Sequence, residues 1–247
     1  MIEISHVTKG FGGKHVLSDI SLTIPGQMIY GLIGYNGAGK TTLLKIINGI
    51  YRPDGGQILI DGKPVYEKEE QKRKMFMMTE ELYFLPQATL RDMNRFLRGY
   101  YEKWDERVFE RLTDIFGLDR SQKISGFSKG MQRQAGIITA FSAGPEYLFL
   151  DEAFDGLDLG VRRMMRRMVR LYVRDRKACV ILTSHNLQEL EECVDRFGMI
   201  KDGRLICDKD VKEIREGGQS LEEYFLREKE EKADDWEDIF RIPDIPA

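Results

Sequence analysis

A chain of 247 residues with a formal net charge of −3 can bury roughly 70–75% of the surface its unfolded form exposes, so no disulfide or metal is needed to hold a core. Cys179, Cys193 and Cys207 are an odd, widely spaced set with no Cys-x-x-Cys pair, which excludes a disulfide framework or zinc ribbon and points to reducing cytosol. The charge argues against a general nucleic-acid binder, the acid at Glu3 argues against a signal peptide, and no apolar run nears the ~20 residues of a membrane span.

Ile2, Ile4 and Val7 alternate with polar residues and predict an edge or half-buried strand. Residues 17–24 repeat the pattern and end at the Pro25-Gly26 turn. The near-continuous apolar run 28–33 is that of a strand buried on both faces. Glycine-rich residues 34–39 follow, then a helix through Thr41, Leu43, Leu44, Ile46 and Ile47 that stops near Gly49. A turn at 53–56 precedes a strand over 57–60. Between about 89 and 116 the period becomes helical, with Phe96, Tyr100, Tyr101, Trp104 and Phe109 on it. Strand signals return at 147–150 and 179–183, around an amphipathic helix over 161–176. Its Arg162, Arg163, Arg166, Arg167, Arg170 and Arg174 read as a solvated face opposite Val161, Met164, Met165, Met168 and Tyr172. Strands alternating with helices around a helical insertion predict an α/β protein, a three-layer core with a helical lobe.

Gly34-Tyr35-Asn36-Gly37-Ala38-Gly39-Lys40-Thr41 fits G-x-x-x-x-G-K-[ST] between a buried strand and a helix. Glycines let backbone N–H groups turn inward around phosphate oxygens, and the helix adds the positive end of its dipole. Lys40 suits the β- and γ-phosphates of a bound triphosphate, and the Thr41 hydroxyl suits Mg²⁺, with Thr42 closing the loop. No Asn-Lys-x-Asp occurs, so guanine specificity lacks its usual residues and ATP is the expected nucleotide. Further on, the apolar run 147–150 ends in Asp151-Glu152. At the carboxyl end of a parallel strand these carboxylates face the phosphate crevice. Asp151 then suits the metal shell, and Glu152 suits a base or positioning group for the attacking water.

Phe127-Ser128-Lys129-Gly130-Met131-Gln132 opens an apolar helix some twenty residues before Asp151-Glu152 (order as written in the chain); Gly156-Leu157-Asp158 and, after a strand, His185 follow. The joint order of these motifs over residues 1 to 215 resembles the ATP-binding cassette (ABC) ATPases. The likeness is strongest to the YtrB-like branch of bacterial ABC-2 type exporters. It implies a P-loop NTPase fold, a RecA-like core with an antiparallel β subdomain over residues 1–85 and 140–215, a helical subdomain over 86–139, and an acidic tail over 216–247. Position by position it implies that Phe11 stacks on adenine, and that Gly34, Asn36, Gly37, Ala38, Gly39, Lys40, Thr41 and Thr42 hold the phosphates. Ser128 and Gly130 would contact the γ-phosphate bound to an opposite subunit, Asp158 the dimer interface, and His185 the γ-phosphate and the attacking water. The position of the family's metal-contacting glutamine falls at Glu80 here, with Gln87 as an alternative late in the segment. Phe127, Lys129 and Met131 also depart from the signature pattern, and Ala153-Phe154 from the usual Pro-Thr or Pro-Ser.

The resemblance implies an ATPase using ATP and Mg²⁺, paired with a second ABC ATPase subunit as a homodimer or heterodimer. It also implies separate transmembrane permease subunits that hold it at the inner face of the cell membrane, and no nucleic-acid partner. Phe76, Tyr83, Phe84, Phe96 and Tyr100 lie where relatives dock those subunits, and equally read as lobe core. Two other readings are a soluble cassette of the repair or translation type, which usually carries a long coiled coil or two cassettes, and a non-catalytic ATP-gated module, against which Glu152 and His185 argue. In the tail, Trp236, Ile239 and Phe240 share one helical face.

Overall fold

The computed structural model of the protein describes residues 1–228, so the expected helical face of Trp236, Ile239 and Phe240 lies outside the described residues. The chain opens with an antiparallel pair, β1 (Ile2–Phe11) and β2 (Lys14–Ile24). His6 takes a φ of 51° and the pairing register slips between Ile4 and Val7. This bulge explains why Val7, an odd step from Ile4, is buried on the same side. The chain then enters a second sheet as β3 (Ile29–Gly34), forms α1 (Lys40–Ile47), and returns as β4 (Gly55–Ile60) and β5 (Lys63–Pro64). Among the described residues the first sheet has the order β2-β1-β4-β5. β1 is therefore interior and half-buried, and the edge placement is corrected: β4 pairs along its second side.

α2 (Glu69–Lys72) and β6 (Met75–Met78) lead to the helical lobe, α3 (Leu90–Tyr100) and α4 (Glu106–Phe116). α3 starts at a capping box between Thr89 and Asp92, and α4 is capped by Asp105 and stops at Gly117, φ 64°. α5 (Lys129–Ser142) then runs from the lobe into the core. β7 (Tyr147–Leu150), α6 (Leu159–Arg176), β8 (Cys179–Thr183), α7 (Leu187–Cys193), β9 (Arg196–Lys201), β10 (Arg204–Asp210), α8 (Val211–Glu216) and α9 (Leu221–Glu228) follow.

The second sheet has the order β10-β9-β3-β8-β7-β6 among the described residues; all its pairings are parallel except β9 with β10. Alternate residues of each strand point to opposite faces. Leu32, Phe149 and Ile181 pack with Leu43 and Leu44 of α1 and with Ile4 and Leu22 of the first sheet. Ile33, Leu148, Val180 and Leu182 share the other core with Ile137 and Phe141 of α5 and Met165 and Val169 of α6. Apolar demand on both faces is why these strands read as unbroken apolar runs. Truncating a side chain such as Phe149 to Ala costs about 3–5 kcal/mol in a site of this kind.

The aromatic set of the lobe divides. Tyr83 and Phe96 are exposed, whereas Phe76 and Phe84 pack against the core and Phe76 lies 5.6 Å, ring to ring, from Tyr101. The arginine face of α6 divides too. Arg163 and Arg167 are exposed, but Arg162 and Arg166 are half-buried in ion pairs with Glu189 and Glu192 of α7. The first part of the expected tail is folded: Leu221, Tyr224 and Phe225 of α9 are buried in the second core.

Candidate nucleotide-binding site

β3, β6, β7 and β8 run parallel, so the segments that leave them emerge at one edge of the sheet. They surround a cleft of about 530 Å³. The loop after β3 forms its floor, and two of its glycines are required. A Cβ on Gly34 would lie 2.5 Å from the Ile200 carbonyl oxygen, and Gly39 holds φ 107° with Leu17 Cδ2 2.6 Å from where its Cβ would stand. α1 begins at Gly39 with no side-chain cap and no acid in its first turn. Its first amides are open donors at the positive end of the helix dipole, an anion site in waiting. Other helices differ: Thr89, Asp105, Ser128, Asp158 and Asn186 each cap the helix that follows.

Lys40 is buried, and its Nζ donates to the carbonyls of Gly34 at 2.7 Å and Tyr35 at 3.3 Å. Burial lowers its pKa, while Glu152, Asp151 and Glu80 oppose that shift. Asn36, Gly37, Thr41, Thr42 and Glu80 line the same cleft, as do Lys14 and Val16 of β2. Ala38 is buried beneath the loop.

Asp151 is fully buried. Its Oδ1 accepts from Thr183 Oγ1 at 2.7 Å, while Oδ2 has no protein partner. Thr183 Oγ1 also accepts from the Glu152 amide at 2.9 Å, so one hydroxyl at the end of β8 fixes both acids. Glu152 is held at φ 49°, an uncommon conformation for a residue with a Cβ. Outliers of this type concentrate at functional sites. Its Oε2 accepts from the His185 amide at 3.1 Å and lies 3.3 Å from His185 Nδ1. Burial raises the Glu152 pKa against the pull of Lys40, and Asp155 adds to the rise. Asp155 Oδ2 is 3.6 Å from His185 Nδ1, so Glu152, Asp155 and His185 form one compact cluster.

The remaining expected residues stand apart from this cleft. Ser128 caps α5, accepting from the Met131 amide at 3.2 Å. Gly130 faces the Gly156 carbonyl, and Asp158 caps α6 through the Val161 amide at 3.0 Å. None of the three is on the cleft wall. Phe11 is also absent from that wall; its ring meets Tyr51 edge-on at 5.4 Å with Lys9 Nζ 5.2 Å above it. Sequence reasoning missed Thr183, Asp155, Lys14 and Val16. The one signal for Thr183 was a hydroxyl ending an apolar strand just before Ser184-His185.

An uncapped helix start, a buried lysine and an Asp-Glu pair at parallel strand ends define a P-loop nucleoside triphosphatase. Residues 17–155 match the ABC transporter family. The chain is 32% identical to the ABC transporter ATP-binding protein YtrB of Bacillus subtilis (strain 168) over 216 residues, 87% of this chain and 74% of that one. It is 30% identical to the bacitracin transport ATP-binding protein BcrA of Bacillus licheniformis, over 99% of this chain and 81% of the relative. A solved ATP-binding subunit of an ABC transporter superposes with TM-score 0.84 at 28% identity, covering 92% of this chain and 98% of the other. The chain belongs to the ABC transporter family and is an ATP-binding, ATP-hydrolysing subunit of it. No helix among the described residues is long and apolar enough to cross a membrane.

Proposed function

We propose that this chain powers an exporter: two copies close around ATP, hydrolyse it, and drive separate transmembrane permease subunits at the inner face of the membrane. The observation that carries the reading is the separation of its own site residues. Lys40, Thr41, Glu80, Glu152 and His185 share a cleft, while Ser128, Gly130 and Asp158 lie outside it. A chain that bears both halves, each incomplete, is matched by a second copy that brings Ser128 and Gly130 to the γ-phosphate. Export is supported by the bacitracin transport relative. Exposed Phe96, on the lobe at residues 86–139, and exposed Tyr83, just before it, are the apolar contacts offered to a permease.

The residue set suits Mg²⁺: hard oxygen donors from Thr41, Asp151 and Glu80, with the buried Asp151 Oδ2 otherwise unpartnered. Held by these residues, such an ion would supply positive charge that offsets that of the phosphates. The protein does the rest. Amides of residues 37–41 hold the phosphates, and Lys40 exchanges its loop carbonyls for phosphate oxygen. Glu152, with a raised pKa and a backbone fixed by Thr183, orients the attacking water and accepts its proton. His185 donates toward the γ-phosphate from beside Glu152. Phe11 closes on adenine from the β1–β2 turn, and Asp158 sits at the seam of the two copies. Closure follows from contacts that exist only while the γ-phosphate is attached. Sedimentation tests this: Glu152→Gln should run as a dimer in MgATP and as a monomer in MgADP. A monomer in both contradicts the proposal.

A further inference from the structure

The phosphate loop has a support outside the sheet that carries it. Tyr35 lines the nucleotide cleft and also a second cavity of about 440 Å³, whose walls include Ile33, Leu187 and Phe225. Phe225 belongs to α9, and its ring lies 4.7 Å from that of Tyr35 at an interplanar angle of 46°. α9 is anchored independently of this contact. The Leu221 amide donates to Glu191 Oε2 at 2.9 Å, Gln188 Nε2 donates to Glu222 Oε2 at 3.2 Å, and the Tyr224 ring lies 6.0 Å from Phe197 of β9. α9 therefore stands on α7 and β9 and reaches the loop with one aromatic ring. The backbone beneath that ring matters to the ligand. The Tyr35 carbonyl accepts from the Ala38 amide at 3.0 Å and from Lys40 Nζ, so the tilt of Tyr35 is tied to the turn that presents amides to phosphate.

We propose that Phe225, acting through Tyr35, is a positioning residue for the nucleotide, which makes α9 part of the ATP site. This rests on the nucleotide-binding reading above and goes beyond it. An aromatic contact of this kind is worth about 2- to 10-fold in affinity. Coupling is reciprocal, so nucleotide must tighten α9 by the same factor.

The test uses the full chain with MgADP, which avoids turnover, and measures its Kd for wild type, Phe225→Ala, Tyr35→Ala and the double variant. Phe225→Ala should weaken binding about 2- to 10-fold while kcat at saturating ATP stays within about twofold. The double variant should bind no more weakly than Tyr35→Ala alone, because the two rings act as one unit. Phe225→Leu, which keeps an apolar side chain at this place on α9, should fall between wild type and Ala. Leu226→Ala, at an exposed position on α9, should bind as wild type does. In hydrogen exchange, MgADP should slow the α9 amides of the wild type and leave those of Phe225→Ala unchanged. Unchanged affinity in Phe225→Ala, additive effects in the double variant, or α9 exchange indifferent to nucleotide would each overturn the inference. A wild type that binds no MgADP instead refutes the nucleotide reading itself.

Discussion

Two helices of this protein begin with glycine-containing segments that the sequence marks as phosphate contacts, and their N-termini are built in opposite ways. α1 starts at Gly39 uncapped, with a buried lysine whose pKa burial lowers against the opposing pull of Glu152, Asp151 and Glu80. α5 starts at Ser128, whose hydroxyl already satisfies the Met131 amide. The first terminus leaves its amides open to an anion; the second is satisfied within the chain, and in the proposed pair a phosphate would compete for Ser128. The difference teaches why the proposed pairing needs both: α1 offers open amides, whereas Ser128 is already engaged within its own chain.

The sharpest way to break this comparison is Lys40→Ala. Losing the preorganised cation should lower turnover on the order of 10²–10³-fold and weaken nucleotide binding as well, checked by phosphate release and calorimetry. Glu152→Gln should lower turnover on the order of 10²–10⁴-fold while ATP still binds. Normal steady-state hydrolysis by that variant would remove Glu152 from its role. Ser128→Ala removes one charge-assisted hydrogen bond, so turnover should fall about 10- to 100-fold with nucleotide affinity of the single chain unaltered.

Stability changes are smaller and of opposite sign at Ser128 and at Glu152. Ser128→Ala removes a cap and should destabilise the apo protein by about 1 kcal/mol in denaturant melts. Glu152→Gln should raise the apo melting temperature at neutral pH. The folded pKa of Glu152 is raised by burial, so its ionised form is disfavoured in the fold, and wild-type stability is lost as pH rises through that folded value. The gap between variant and wild type should therefore close as pH falls below the ordinary carboxylate range. A gap independent of pH would contradict the buried-charge account.

What could be read in the sequence was what the backbone places locally. The loop 34–42 and Asp151-Glu152 are contiguous, and the strand run into each gives its direction. What could not be read depends on sheet order. Thr183 meets Asp151 and Glu152 because β8 pairs with β7, and Tyr35 meets Phe225 because α9 folds back over α7. β6 is four residues without alternation, and β9 contains Gly198, whose missing side chain leaves room for the Tyr30 hydroxyl. Neither shows a strand pattern. Arginines 162 and 166 looked like solvated charges since their partners, Glu189 and Glu192, lie on α7, across a strand from α6 in the chain. The interior position of β1 likewise required β4, which returns only after the phosphate loop and α1.

The claim that the cleft is half a site is tested most directly by mixing two impaired variants, Lys40→Ala and Ser128→Ala, and measuring ATP turnover. In a mixed dimer one site pairs the intact phosphate loop of one copy with the intact Ser128 of the other. The mixture should regain hydrolysis well above the sum of the two variants measured alone. Turnover no greater than that sum would show that each chain completes its own site, contrary to this account.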